Sequence, residues 1–416
     1  MKLYELFGQG RTIFSCEVFP PKKTAPVDSI YKTLDGLKDI RPDFISVTFG
    51  AGGSQVNQST REIASLIENQ YHIPAMAHLT CVAAGKEDAN RLLTELKEAG
   101  VENVLALRGD VNPDYPPKTD FRYASELVAY IQERGDFGIS AACYPEGHPE
   151  SPDPVNDIRH LKEKVDAGAQ HLVSQLFFDN DDFFRFLERA RIAGINTPIE
   201  AGIMPVLSKS SILRMVSTCG ASIPSKLTRI LARYGDHPDA LREAGIAYAI
   251  DQIADLIAGG VDGIHLYTMN NPDVVSGITA FTAALFLVTV IGGGFQMITS
   301  SIVPPMIADV NDYEASRSGK YIPGMVGTLF SFMDKLISSF GPMLVGLGFG
   351  VIGFVDKLPD VNTPYSNELF IFGLIFYFGF EIIGAVFNLI AMKFYDLTPE
   401  KMREVEAKVH EMRQQG

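Results

Sequence analysis

Between Ser276 and Ala308 the chain carries no Asp, Glu, Lys, Arg or His. A helix needs about 20 apolar residues to cross a bilayer, and this run is longer. A soluble helix of that length would normally show a polar face. The sequence before it is densely charged, so composition divides the chain into residues 1–275 and 276–416. Whole-chain values conceal the split: 46% of residues are hydrophobic and 21% charged, with a mean hydropathy of +0.09.

The formal charge of −14 argues against a nucleic-acid surface, which depends on basic patches. Cys16, Cys81, Cys143 and Cys219 form no CxxC pair, and three fall in apparent buried strands, so they read as reduced structural thiols. No metal site is expected. The start of the chain lacks the apolar core of a signal peptide, which makes the first part an expected cytoplasmic protein.

In residues 1–275 short β-branched and aromatic runs alternate with amphipathic stretches. The apparent strands are Ile13–Phe19, Phe44–Phe49, Ala75–Cys81, Asn103–Arg108, Gly138–Tyr144, His171–Phe178, Ile199–Val206 and Gly263–Thr268. Helical segments include Lys86–Ala99, Tyr123–Arg134, Pro154–Ala167, Asp181–Ala193 and Ala240–Ala258. The strands are apolar at nearly every position, as expected when both faces are covered. Eight such units predict an α/β fold, a (β/α)8 TIM barrel. A doubly wound open sheet is the alternative, and the eighth helix is in question because apolar sequence comes so soon after the last strand.

In such a barrel the chemistry sits where strands end. Glu17, Thr48, His78 with Thr80, Arg108-Gly109-Asp110, Tyr144, Gln175 and Tyr267 bring a polar group to one rim from seven of the eight strands. Taken singly, His78 suits a core histidine and Arg108-Gly109-Asp110 a turn; it is the accumulation on one rim that points to a site. No GxGxxG, HExxH or GxSxG is present, and Gly50-Ala51-Gly52-Gly53 is too short for a dinucleotide fingerprint.

The blocks SCEVFPPK, FISVTFGAGGS, AHLTC, ALRGD, AACYPEGHPE, KVDAGAQHLVSQLFFD, GIMPV and HLYTMN resemble, in order and spacing, the methylenetetrahydrofolate reductase family, from about Phe14 to Pro272. The resemblance implies FAD across the C-terminal rim, NADH or NADPH as co-substrate, and folate as hydride acceptor in one-carbon and methionine metabolism. It makes Glu17 and Asp110 the catalytic pair. Glu17 would protonate the folate nitrogen whose departure opens the five-membered ring, and a partly buried carboxyl with a raised pKa suits that task. Asp110 would lie between flavin and pterin. The resemblance assigns flavin contacts to Thr48, His78, Arg108, Gly109, Asp110, Tyr123, Ala124, Tyr144, His148, Asp157, His160 and Lys164. Asp157, His160 and Lys164 share one helix face at i, i+3 and i+7, a spacing that also suits a solvated face. Asp110, Gln175 and Tyr267 would meet folate or nicotinamide. This chain departs from the family at Lys209, where a ring that stacks on substrate is usual, and at Asn271, where an arginine is common. A homo-oligomer is compatible with all of this.

Residues 276–416 hold three apolar stretches, Ile278–Ala308, Tyr321–Val355 and Leu369–Met392, interrupted by Asp334-Lys335 and Glu381. They predict an all-α membrane segment of about three transmembrane helices. PPMIADVNDYEASRSGKYIPG and the ending FYDLTPEKMREVEAKVHEM resemble the glycoside-pentoside-hexuronide:cation symporters of the major facilitator superfamily, with Lys335 where that family places a lysine near its sugar and ion site. Three helices of an expected twelve would not transport, since such sites form between two repeats. Lys393, Lys401, Arg403, Lys408 and Arg413 put the tail on the cytoplasmic side of the inner membrane.

Three full spans ending inside would start outside and export the barrel. The sequence therefore leaves open an accidental join of two genes, a fusion whose first stretch does not fully span, and an exported reductase. The leading function is a flavin-dependent reductase. The alternative is a symporter fragment with a non-functional reductase-like appendage.

Overall fold

The computed structural model describes residues 1–21, 28–49, 58–110, 117–354 and 367–415, in two compact units, Met1–Ala284 and Leu285–Gly416. The turn Gly50-Ala51-Gly52-Gly53 lies outside the described residues. The first unit opens with β1 (Ile13–Val18), α1 (Asp28–Ile40), β2 (Phe44–Val47), α2 (Gln58–Asn69), β3 (Ala75–Thr80) and α3 (Lys86–Glu98). Then come β4 (Asn103–Leu107), α4 (Ala124–Arg134), β5 (Gly138–Cys143), α5 (Pro154–Asp166), β6 (His171–Ser174) and α6 (Asn180–Ile192). It closes with β7 (Ile199–Ile203), α7 (Lys209–Cys219), α8 (Ser225–Tyr234), α9 (Pro238–Ala258), β8 (Gly263–Tyr267) and the start of α10 (Pro272–Ser318).

The eight strands are parallel and close into a barrel, β1 pairing with β8 from Ile13↔Gly263 to Glu17↔Tyr267. That pairing removes the open-sheet alternative. Apolar residues cover both strand faces, as barrel packing inside and helices outside require. The helices arise from capping and periodicity. Asp153 accepts from Asn156 N with Pro154 in the first turn of α5, and α3 buries Ala89, Leu92, Leu93 and Leu96 along one stripe. The observed strands stop one to four residues short of the apolar runs read from sequence, so the polar rim residues fall mostly in the loops beyond them.

At the opposite end a 3-10 turn, Leu3–Leu6, fills the barrel mouth; Leu3 and Leu6 pack on Ile13, Phe44, Met76, Leu105 and Val173. Each such buried Leu, Ile or Phe contributes about 1.5–3 kcal/mol. The eighth helix, in doubt from sequence, is supplied by the start of α10, where Val274, Val275 and Ile278 join the main core. Asn271 accepts from Val274 N there at 3.3 Å, which gives the departure at this position a capping role.

The second unit is all-α. Beyond α10 it contains α11 (Pro323–Val351), α12 (Asn367–Leu374), a π-helical stretch Ile375–Gly379, α13 (Phe380–Phe394) and α14 (Pro399–Gln415). Leu397, Met402, Val405 and Val409 form a small core with Ala315. Many apolar side chains of α11 and α13 are exposed, among them Leu329, Phe332, Leu347, Phe387 and Leu389. Lys335 is exposed as well. The expected spans are thus largely helical, but among the described residues no helix is long and apolar enough to cross a membrane. The side chains of residues 283–304, of Asp334 and of Glu381, and residue Val355, lie outside the described residues.

Candidate active site

Two successive inward positions on β1, Ser15 and Glu17, set the centre of the site. The strand pleat points both into the barrel. Glu17 Oε2 lies 3.6 Å from His78 Nε2 of β3 and 3.7 Å from His265 Nε2 of β8, and its side chain is 17% exposed. Beneath it Ser15 Oγ donates to Glu200 Oε1 at 2.9 Å and lies 2.6 Å from His265 Nδ1. With the hydroxyl donating to Glu200, His265 must carry its proton on Nδ1. His171 Nε2 is 3.1 Å from Glu200 Oε2, and Ser140 Oγ is 2.9 Å from His171 Nδ1. Glu200 and His265 are fully buried. This polar layer is not legible in the sequence at first sight, although Ser15-x-Glu17 and His265-x-Tyr267 carry the i, i+2 signature of one strand face.

His78 sits within ion-pair distance of Glu17, yet burial outweighs the carboxylate's attraction and lowers its pKa from 6.5 to about 4. The imidazole is therefore neutral at pH 7. The unfolded chain binds this proton more readily than the folded one, so stability is complete above about pH 6.5 and falls towards pH 4. Between pH 7 and pH 5 this one group is expected to remove about 2 kcal/mol. Urea midpoints monitored by tyrosine fluorescence check this, and the acid-dependent fall should shrink in His78→Asn.

Tyr267 completes this side. Its hydroxyl donates to Ser174 O at 2.8 Å, and burial pushes the phenol well above its ordinary range. Gly202 makes room for the ring, since a Cβ there would lie 3.0 Å from two Tyr267 atoms. Gln175 comes directly after β6, but its side chain turns back to accept from Leu176 N at 2.9 Å. Thr48 N donates to Val18 O at 3.0 Å, and Thr48 O accepts from Thr60 Oγ1 at 2.9 Å.

The other predicted residues gather beyond β4 and β5. Arg108 forms a bidentate pair with Glu150, at 2.5 and 2.8 Å, a partner that spacing along the chain does not reveal. Gly109 takes φ +81, and a Cβ would come within 2.7 Å of Val82 Cγ2 and 2.9 Å of Thr80 Cβ, so only glycine fits this turn without displacement. Asp110 is exposed, and its charge acts on Tyr144 and Arg108. Tyr144 meets His148 edge-on at 4.7 Å. His148 N donates to Asp157 Oδ1 at 3.3 Å. Lys164 Nζ donates to Ala142 O at 2.6 Å, its pKa lowered by burial. Tyr123, half exposed at the start of α4 beside Ala124, stacks near His160 at 6.4 Å. Lys209 opens α7, 3.9 Å from Asp236. Among the described residues no His, Cys, Asp and Glu cluster could hold a metal.

Several buried polar atoms on this rim have no hydrogen-bond partner among the described residues: His78 Nε2, Thr80 Oγ1 and Arg108 Nε. Leaving such atoms unmet is costly. The rim thus fits a large polar ligand as well as the chain itself.

A closed parallel barrel with ionisable groups converging on its C-terminal rim defines an enzyme-type (β/α)8 scaffold. The model of the family described as "Methylenetetrahydrofolate reductase" matches residues 2–281, and the chain belongs to that family. It is 38% identical over 297 residues to "Methylenetetrahydrofolate reductase (NADH) 1" of Zea mays, covering 67% of this chain and 49% of that one. It is 34% identical over 266 residues to "5,10-methylenetetrahydrofolate reductase" of Pectobacterium carotovorum subsp. carotovorum, covering 64% and 88%. With the protein so named in Escherichia coli (strain K12) the identity is 33%, covering 64% and 89%. The chain spans about half the length of the plant relatives it matches. A second model, "MFS/sugar transport protein", matches residues 250–399.

Proposed function

We propose that residues 1–275 form a FAD-binding reductase barrel that converts 5,10-methylenetetrahydrofolate to 5-methyltetrahydrofolate. The observation that carries this reading is Glu17, a sheltered carboxyl between two imidazoles on a rim whose buried polar atoms are in part unmet among the described residues. Bound FAD would supply the redox step, accepting a hydride from the nicotinamide and passing it to the folate. The name of the maize relative favours NADH as donor.

The chain's own residues then divide the remaining work. His78, Arg108 and Gly109, with Thr48, Tyr144 and His148, would hold the isoalloxazine and its side chain. Lys164, with Asp157 and His160, suits the diphosphate end, and Tyr123 with Ala124 the adenosine. Glu17 donates a proton to the folate nitrogen, its carboxyl kept largely from water. Asp110 orients the pterin through its donors, while Gln175 and Tyr267 flank the shared folate and nicotinamide position. The test is chromatographic detection of 5-methyltetrahydrofolate from the full chain supplied with FAD, NADH and methylenetetrahydrofolate. Flavin that is bound and reduced without any methylated product would count against the reading.

We infer further that residues 276–416 are a partial symporter-like segment associated with the cytoplasmic membrane, with the barrel on the cytoplasmic side. The exposed apolar side chains of α11 and α13 support this, and an exposed patch of that kind normally marks a membrane or protein contact. The full chain is expected to sediment with membranes and to be released by detergent but not by high salt. Recovery in the soluble fraction would contradict the inference.

A further inference from the structure

The chain just beyond β1 is tied to the chain just beyond β8 by side chains, at the point where the regular ladder ends. The last ladder pair is Glu17↔Tyr267. Past it, Glu17 O accepts from Thr268 Oγ1 at 2.6 Å and from Thr268 N at 3.4 Å. Two residues on, the Asn270 side chain replaces a strand. Its Oδ1 accepts from Phe19 N at 3.1 Å, and its Nδ2 donates to Phe19 O at 2.8 Å. Every polar group of Asn270 is engaged: its N donates to Thr268 Oγ1 at 3.1 Å, and its O accepts from Thr33 Oγ1 at 3.2 Å.

The arrangement comes with backbone strain. Met269 and Asn270 both adopt φ of 53°, in the left-handed region. Non-glycine residues adopt that region at a cost, and asparagine tolerates it better than most. Such strain persists where the surroundings over-determine it. Here the reason lies immediately after Phe19: Pro20 and Pro21 have no N–H, so no ladder could continue past this point. Among the described residues the Asn270 amide is the last tether on the strand end that carries Glu17. From the other side Pro272 packs on α1, where a Cβ at Gly36 would lie 2.5 Å from Pro272 Cβ, so the turn holding the clamp is itself fixed.

We propose that Thr268 and Asn270 are positioning residues for proton transfer, fixing the main chain at Glu17 and two residues beyond it so that its carboxyl keeps its place beside His78 and His265. This rests on the reading of Glu17 as the proton donor. Neither side chain needs to touch flavin or folate.

The test uses the full-length flavoprotein and separates its two half-reactions: flavin reduction by NADH, with menadione as acceptor, and reoxidation by methylenetetrahydrofolate. Asn270→Ala and Thr268→Val are expected to slow reoxidation by folate on the order of 100-fold, the usual consequence of misplacing a reacting group by about 1 Å. NADH–menadione turnover should stay near wild type, and the pH profile of folate reoxidation should shift. Thr268→Ser, which keeps the hydroxyl, should restore the rate. If Asn270→Ala does not fold, Asn270→Asp retains Oδ1 and replaces the Nδ2 donor by an oxygen that repels Phe19 O, and Thr268→Val reads the other half of the clamp. Equal losses in both half-reactions, or an unshifted profile with unchanged rates, would overturn the proposal. A Glu17→Gln protein that still reoxidises with folate at the wild-type rate would instead remove the proton-donor reading itself.

Discussion

Glu17→Gln is expected to slow folate-dependent reoxidation of reduced flavin by about 100- to 10,000-fold, the usual contribution of a positioned acid. Flavin reduction by NADH needs no proton from this side chain and should be nearly unchanged. The asymmetry has a geometric origin. Glutamine keeps the size of the side chain between His78 and His265, so the barrel's packing is retained, but it has no carboxyl proton to give. Rapid-mixing measurements of the two half-reactions decide it. Parallel losses would mean that Glu17 supports the flavin rather than the proton transfer.

Glu200→Ala is expected to destabilise the barrel by about 3–5 kcal/mol, the cost of removing one partner from a buried ionic set. Glu200 is fully buried and joined to Ser15, His171 and, through Ser15, His265. Its loss leaves the Ser15 hydroxyl without its acceptor and His171 without the carboxylate 3.1 Å away, together with a cavity in the barrel interior. Glu200→Gln keeps the volume and one acceptor oxygen, so it should recover part of the loss. Urea denaturation of both variants measures the difference. A loss below about 1 kcal/mol for Glu200→Ala would mean that the layer carries no charge pairing of consequence.

The barrel was legible because its strands are buried on both faces, which makes continuous apolar runs such as Phe44–Val47 stand out between helical stretches. The rim was legible because polar residues at the ends of such runs have no packing reason to be there. Two kinds of feature did not emerge. Between β7 and β8 the sequence suggested one helix, Ala240–Ala258, whereas α7 and α8 precede α9. Their apolar residues, Ile212, Leu227 and Leu231, join a side cluster with Tyr248 rather than the main core, so the periodicity there is short. The interior layer of Ser15, His171, Glu200 and His265 was hidden for another reason. Single polar residues inside apolar strands look like interruptions until ring closure brings four strands' worth of them together. The Arg108–Glu150 pair and the Asn270 clamp are also contacts across loops, for which spacing along the chain gives no signal.

The C-terminal third shows the limit in the other direction. Charge-free composition predicted spans from Ile278 onward, while the structure uses Val274, Val275 and Ile278 to finish the barrel. One helix therefore begins as barrel wall, so a boundary drawn where charge disappears falls inside an element that the barrel needs.

This rim is proposed to pass a hydride from a nicotinamide to folate by way of a flavin. Its most direct test is the absorbance spectrum of the full-length flavoprotein under anaerobic conditions. The expected result is a yellow protein that NADH bleaches and that a stoichiometric addition of methylenetetrahydrofolate restores. A flavin that NADH bleaches but methylenetetrahydrofolate leaves reduced, or a folded barrel that takes up no flavin, would contradict it.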